Sequence, residues 1–157
     1  MTEGKLGTYI DENLIFVDQT FATREELFEE ISKKAEGLGY TSPDFLEKIK
    51  AREAEFPTGL QLENYGVAIP HTDPECVKQE FVAVVVNKDD IIFNSMVDAS
   101  QEIPVKLAFM LGLNQPHAQL EMLESLMSLL QNEKIVQEIL ASKTSQDLQK
   151  IINNNNL

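Results

Sequence analysis

Apolar residues recur along the chain with two periods, and the switches between them mark out strands and helices. Leu14-Ile15-Phe16-Val17 is a short run rich in β-formers and predicts a buried strand. Thr23-Arg24-Glu25-Glu26 has the form of a capping box, a Thr hydroxyl taking one helix N–H while a Glu three residues on reaches back. Leu27, Phe28, Ile31 and Ala35 follow at helical spacing, and Gly37 predicts the stop. A second helix is expected to open at Ser42-Pro43, with Pro at its first position and Phe45, Leu46 and Ile49 on its apolar face. It must end before Phe56-Pro57, because the residue preceding a proline is pushed out of the helical region.

The middle of the chain changes period. Leu60-Gln61-Leu62 alternates, residues 63–66 turn, and Val67-Ala68-Ile69 is again strand-like. Phe81 to Val86 is apolar on both faces and predicts the central strand. Residues 87–90 predict a turn and Ile91-Ile92-Phe93 a hairpin partner; Val105 to Leu113 is a further strand whose alternation is less clean. The last third is helical. Leu120, Leu123, Leu126, Met127 and Leu130 form the stripe of a long helix starting near Pro116. Ile135, Val136, Ile139 and Leu140 mark a second helix, and Leu148, Ile151 and Ile152 a third. No repeat or linker divides the chain. The expectation is one α/β domain over residues 1–152, a three-layer α/β/α sandwich with a mixed parallel and antiparallel sheet. Residues 1–7 are expected to fray, and the Asn-rich residues 153–157 to form a disordered tail.

Composition narrows the function. The 26 acidic against 13 basic residues, a formal −13, repel phosphate backbones and anionic lipid, so nucleic acid and membrane insertion are disfavoured. A protein partner with a basic face suits this chain better. The single Cys76 has no internal disulfide partner, no apolar run approaches membrane-spanning length, and the start lacks a secretory pattern, which together predict a cytoplasmic protein.

Candidate chemistry centres on two histidines at element boundaries. His71 in Ala68-Ile69-Pro70-His71-Thr72 lies just beyond a strand end, where functional groups of open α/β sheets collect. His117 in Asn114-Gln115-Pro116-His117 opens the long helix after another strand. Neighbouring strand ends would bring the imidazoles together; two unrelated surface histidines fit the same spacing. With Asp73 and Glu75 they would make a mixed N/O metal site, but the cysteine pairs and i,i+4 histidines of zinc motifs are absent. No Gly-rich nucleotide loop and no G-x-S-x-G elbow occurs, so no cofactor is predicted. The Glu25-Glu26 and Glu29-Glu30 pairs read as a solvated helix face. Arg52 near the end of the second helix reads, on spacing alone, as an i,i+3 partner of Glu55. Cys76 reads as a packed small hydrophobe.

Taken together, Ala51-Arg52-Glu53-Ala54-Glu55-Phe56-Pro57-Thr58-Gly59-Leu60 and Gly66-Val67-Ala68-Ile69-Pro70-His71 resemble the IIA component of the bacterial sugar phosphotransferase system, mannitol/fructose type, and the galactitol-specific subgroup in particular. The resemblance runs from the first strand to the last helices. It implies a phosphotransferase component in which His71 accepts a phosphoryl group from the phosphocarrier HPr and passes it to a cysteine of the IIB partner. It further implies that Arg52 steadies the phosphoryl group and that His117 assists, a position galactitol-type members do not always keep.

Chemistry fits that implication. Phosphoryl transfer needs a nucleophile with a free lone pair and positive charge on the equatorial oxygens. Neutral imidazole supplies the first near neutral pH, and a guanidinium fork the second. The competing expectation is a regulatory relative of the nitrogen branch, whose phosphorylation state controls a partner by binding.

Overall fold

The computed structural model describes residues 6–157. Of the segment expected to fray, residues 1–5 lie outside the described residues, but Leu6 and Gly7 are held. Leu6 is buried and opens the short helix α1 (Leu6–Tyr9), and the Gly7 N–H donates to the carbonyl of Leu157 at 3.0 Å. Strand β1 (Ile10–Gln19) extends the expected apolar run at both ends.

Helix α2 (Arg24–Gly37) starts from the expected capping box, with the Glu26 N–H donating to Thr23 Oγ1 at 3.2 Å and the Glu26 carboxylate accepting from the Thr23 N–H. Its last helical residue is Gly37, as expected, and the reversal follows two residues on. Gly39 takes the left-handed conformation, φ 81°, that ends the helix. In α3 (Phe45–Glu55), Pro43 stands just ahead of the helix rather than at its first position, and Phe45 and Ile49 are buried.

Strands β2 (Gly59–Gln61) and β3 (Gly66–Ala68) pair antiparallel as a short hairpin. The hairpin expected at residues 87–90 does not form. Strand β4 (Phe81–Asn94) runs straight through that polar stretch as a bulge, its register against β5 shifting between Val86 and Ile91. The buried Asn87 side chain exchanges hydrogen bonds with the backbone of Phe21, its amide donating at 2.9 Å and its oxygen accepting at 2.8 Å. Tertiary bonding thus satisfies a residue whose type signals a turn. The chain reverses at residues 95–101, where the Ser95 N–H meets the Gln101 carbonyl, and returns as β5 (Glu102–Gly112).

Helices α4 (Pro116–Leu130), α5 (Glu133–Leu140) and α6 (Ser145–Asn154) close the chain. In α4 the buried face is Met122, Leu126, Leu129 and Leu130, while Leu120 and Met127 of the expected stripe are exposed. The tail expected to be disordered is instead the last turn of α6 and its return. The Leu157 N–H donates to the Ile152 carbonyl at 3.0 Å, and Leu157 packs on the core.

The five strands lie in the order β1-β4-β5-β3-β2; β1 with β4 and β5 with β3 are parallel, and the other two pairs antiparallel. This is the mixed sheet of the sequence expectation. Val82, Val84, Leu107 and Phe109 meet α4, α5 and α6 on one face, and Phe81, Ala83, Val85 and Met110 meet α2 and α3 on the other. Three layers result. Strand β5 changes its apolar face near Lys106, opposite the β4 bulge: Ile103 and Val105 pack on the side of Ala108 and Met110, not of Leu107. That switch explains its imperfect alternation. Because β3 and β5 are parallel neighbours, both finish on the same edge of the molecule.

Candidate functional site

Val67 and Ala68 of β3 sit in register with Leu107 and Ala108 of β5. Beyond β3 the Leu111 N–H donates to the Pro70 carbonyl at 2.9 Å, and His71 makes one isolated bridge to Leu111. Pro70 has no N–H to continue the ladder, so the chain leaves the sheet here and presents His71 at its rim. The half-buried imidazole lies with Nδ1 2.8 Å from the Ile69 carbonyl oxygen. A carbonyl can only accept, so Nδ1 carries the hydrogen and Nε2 keeps the lone pair. Burial pushes the His71 pKa below its ordinary value; the Ile69 bond opposes this, and the nearby Arg52 charge adds to it. The result is a neutral imidazole with a nucleophilic nitrogen directed away from the backbone.

Arg52 reaches this edge from the last turn of α3. Its Nη1 lies 3.6 Å from Asp73 Oδ1, and its guanidinium rests over the Phe56 ring, 4.9 Å from the centroid. The ion pair formed is with Asp73, two residues past His71, and not with Glu55. Both of its side chains are substantially exposed, so the pair contributes little to stability and leaves the fork free to exchange carboxylate for another anion.

His117 is placed differently. It stands in the first turn of α4 with its side chain 84% exposed, and its Nε2 lies 2.5 Å from Glu121 Oε1 one turn on. The strand ends do converge, but among the described residues His117 makes no hydrogen bond or ion pair with His71 or Arg52. Cys76, in the 3-10 turn Pro74–Cys76, is buried, and burial pushes its thiol pKa up, with the Asp44 charge adding to the effect. No group of three or more His, Cys, Asp or Glu side chains is placed to hold a metal among the described residues.

One residue of the site escaped the sequence reading. Glu53, 4% exposed, accepts the Thr58 N–H at Oε2 and the Thr58 hydroxyl at Oε1, both at 2.8 Å. Burial raises its pKa, while the two Thr58 bonds and the Arg24 charge oppose the rise. The signal was present in the spacing. Phe45, Ile49 and Glu53 follow at i, i+4 and i+8, which sets the carboxylate on the apolar face of α3.

The fold and this edge can be set beside known proteins. The family model described as phosphoenolpyruvate-dependent sugar phosphotransferase system, EIIA 2, matches residues 8–155. The chain belongs to that family. This EIIA chain is therefore a phosphotransferase component of that system, a phosphoryl carrier in sugar transport. It is 28% identical over 127 residues to the galactitol-specific EIIA component of Escherichia coli K12, covering 81% of this chain and 84% of that protein. Among solved structures it is similar to the nitrogen regulatory protein IIA-Ntr from Neisseria meningitidis, with a TM-score of 0.78 and 27% identity over 93% of this chain and 97% of that one. It also shares its fold with the Escherichia coli complex of enzyme IIAMTL and phosphorylated enzyme IIBMTL, with a TM-score of 0.71 and 19% identity over 92% and 97% of the two chains. No helix of the EIIA chain, among its described residues, is long and apolar enough to cross a membrane.

Proposed function

We propose that His71 is the residue on which this EIIA component carries its phosphoryl group. Nε2 attacks the phosphorus of phospho-HPr; the new P–Nε2 bond forms as the P–N bond to the carrier breaks, and the carrier's imidazole leaves with the electron pair. A thiolate of the IIB component then takes the phosphoryl group, and His71 recovers its lone pair. The observation that carries this reading is the 2.8 Å contact of Nδ1 with the Ile69 carbonyl, which holds the ring in the tautomer that leaves Nε2 nucleophilic. Arg52 supplies the donor fork for the phosphoryl oxygens, giving up Asp73 as they arrive. His117 assists only after releasing Glu121, which its exposure permits.

The chemistry requires neither metal nor nucleotide at this step. The formal charge of −13 suits docking of carriers with a basic face, and the setting is the cytoplasm. The complex of enzyme IIAMTL with phosphorylated enzyme IIBMTL supports a IIB component as the acceptor, and the galactitol-specific relatives support a sugar alcohol as the transported class. The family description supports transport over the regulatory reading.

Incubation with phosphoenolpyruvate, enzyme I and HPr is expected to add one phosphate by intact mass, labile in acid and persistent in base. His71→Gln is expected to fold and accept none. An acid-stable adduct, or undiminished labelling of His71→Gln, would overturn the assignment.

A further inference from the structure

Arg52 and His71 come from different elements, and Glu53 sits at the junction between them. Its carboxylate closes on the N–H and hydroxyl of Thr58, which pins the segment leaving α3 back against the helix end. Thr58 in turn accepts the Ile69 N–H at its carbonyl, 3.3 Å away, and the Ile69 carbonyl accepts from His71 Nδ1. Four groups thus form one chain of contacts from the helix turn that bears Arg52 to the imidazole. The next residue is anchored as well: the Gly59 carbonyl accepts the Met96 N–H at 2.8 Å. An added Cβ at Gly59 would lie 2.6 Å from the Asn94 carbonyl oxygen, so the segment can move little toward β4.

We infer that Glu53 is a positioning residue for phosphoryl transfer, which through Thr58 and Ile69 fixes the His71 tautomer and the distance between His71 and the Arg52 fork. The inference rests on His71 being the carrier. A carboxylate on the apolar face of a helix costs desolvation that a Leu there would avoid. Its two oxygens match the two Thr58 donors, so each oxygen has a partner. An amide replaces it poorly: with the Gln oxygen on the Thr58 N–H, its NH2 meets the Thr58 hydroxyl only if that hydroxyl turns to accept, and the hydroxyl hydrogen then loses its carboxylate.

The test compares Glu53→Gln with Thr58→Ser and Thr58→Val, reading transfer kinetics and the 15N shifts of the His71 ring in the unphosphorylated protein. Glu53→Gln is expected to slow the transfer step within the phospho-HPr complex about tenfold or more, as loss of alignment does. Half-saturation by phospho-HPr should stay unchanged, and the ring should pass from one tautomer to a mixture. Thr58→Ser keeps both donors and should retain native behaviour; Thr58→Val loses the hydroxyl and should fall between. A folded Glu53→Gln with native rate and a single tautomer would overturn the inference. So would a lowered melting temperature with rate and tautomer unchanged, because Glu53 would then serve stability alone. The tautomer readout needs no phosphate. If the native protein is phosphorylated on another residue, the carrier assignment fails, while the ring shifts still decide whether Glu53 positions His71.

Discussion

The Nδ1 atom of His71 lies 2.8 Å from the carbonyl oxygen of Ile69, two residues earlier in the same strand end. The acceptor is a backbone carbonyl, so the tautomer follows from how the fold, through Thr58 and Glu53, holds Ile69 in place. The phosphorus should therefore be bonded to Nε2. The 15N spectrum of the phosphorylated protein, with ring nitrogens labelled, should show phosphorus coupling at Nε2 and a protonated Nδ1; coupling at Nδ1 would mean the strand end rearranges before transfer.

Arg52→Lys is expected to slow phosphoryl acceptance although charge is kept, and Arg52→Ala to slow it further. A guanidinium offers parallel N–H donors to two oxygens at once, whereas an ammonium acts as a point charge. The same substitutions should barely move the melting temperature, since the pair with Asp73 is exposed. Single-turnover rates with phospho-HPr provide the check. Equal rates for Arg52→Ala and the native protein would reduce Arg52 to a partner of Asp73.

Much of this edge was legible in the sequence, and the exceptions have identifiable causes. His71 and Arg52 stood out because the Pro-His step and the arginine segment are local. The Arg52–Asp73 pair was not legible, since it joins residues brought together only by the return of the chain through β2 and β3. Glu53 was overlooked because a charged residue in a helix ordinarily faces water. The β4 bulge was read as a turn because the bonds that satisfy Asn87 come from Phe21, far along the chain. In α4, Leu120 and Met127 were placed on the buried stripe, but the sheet covers only the face of Met122, Leu126, Leu129 and Leu130. A helix so rich in leucine offers more than one apolar stripe, and the neighbouring layer selects between them.

His117→Ala is expected to weaken transfer without abolishing it, by less than the factor of ~10²–10³ that loss of a preorganised donor costs. The imidazole is exposed and held by Glu121, so part of its benefit is spent in leaving that partner. Glu121→Gln, which loosens the hold, should raise the rate slightly or leave it unchanged. Loss of all transfer in a folded His117→Ala would place this residue at the centre of the chemistry.

Cys76 is expected to be dispensable for phosphoryl acceptance. Its thiol is buried, and burial together with the Asp44 charge keeps it protonated, which opposes nucleophilic behaviour. Cys76→Ala should accept phosphate at the native rate, and the native thiol should resist alkylation until the protein unfolds. Rapid alkylation under native conditions, with loss of acceptance, would contradict this account of the thiol.

The pH dependence of acceptance should report the environment of His71 directly. Burial first, and the Arg52 charge beside it, lower the folded-state pKa below the ordinary imidazole value of ~6.5. The nucleophile is the neutral ring, so acceptance should hold as pH falls through ~6.5 and decline only further into acid. The stability contribution has the matching sign. Between the lowered folded value and the unfolded one, the unfolded chain binds more protons, so stability present above the unfolded value is lost as pH falls through the folded one. Glu53 acts oppositely, because its raised carboxyl favours the folded state at low pH and that contribution fades as pH rises through its folded value. Arg52→Ala removes the smaller of the two causes that lower the His71 pKa, and should move the ring's midpoint upward without restoring it fully, since burial remains. NMR titration of the His71 ring in both proteins, alongside transfer rates at each pH, measures this. A native midpoint at or above the ordinary value, or a downward move in Arg52→Ala, would show that the guanidinium does not act on this imidazole.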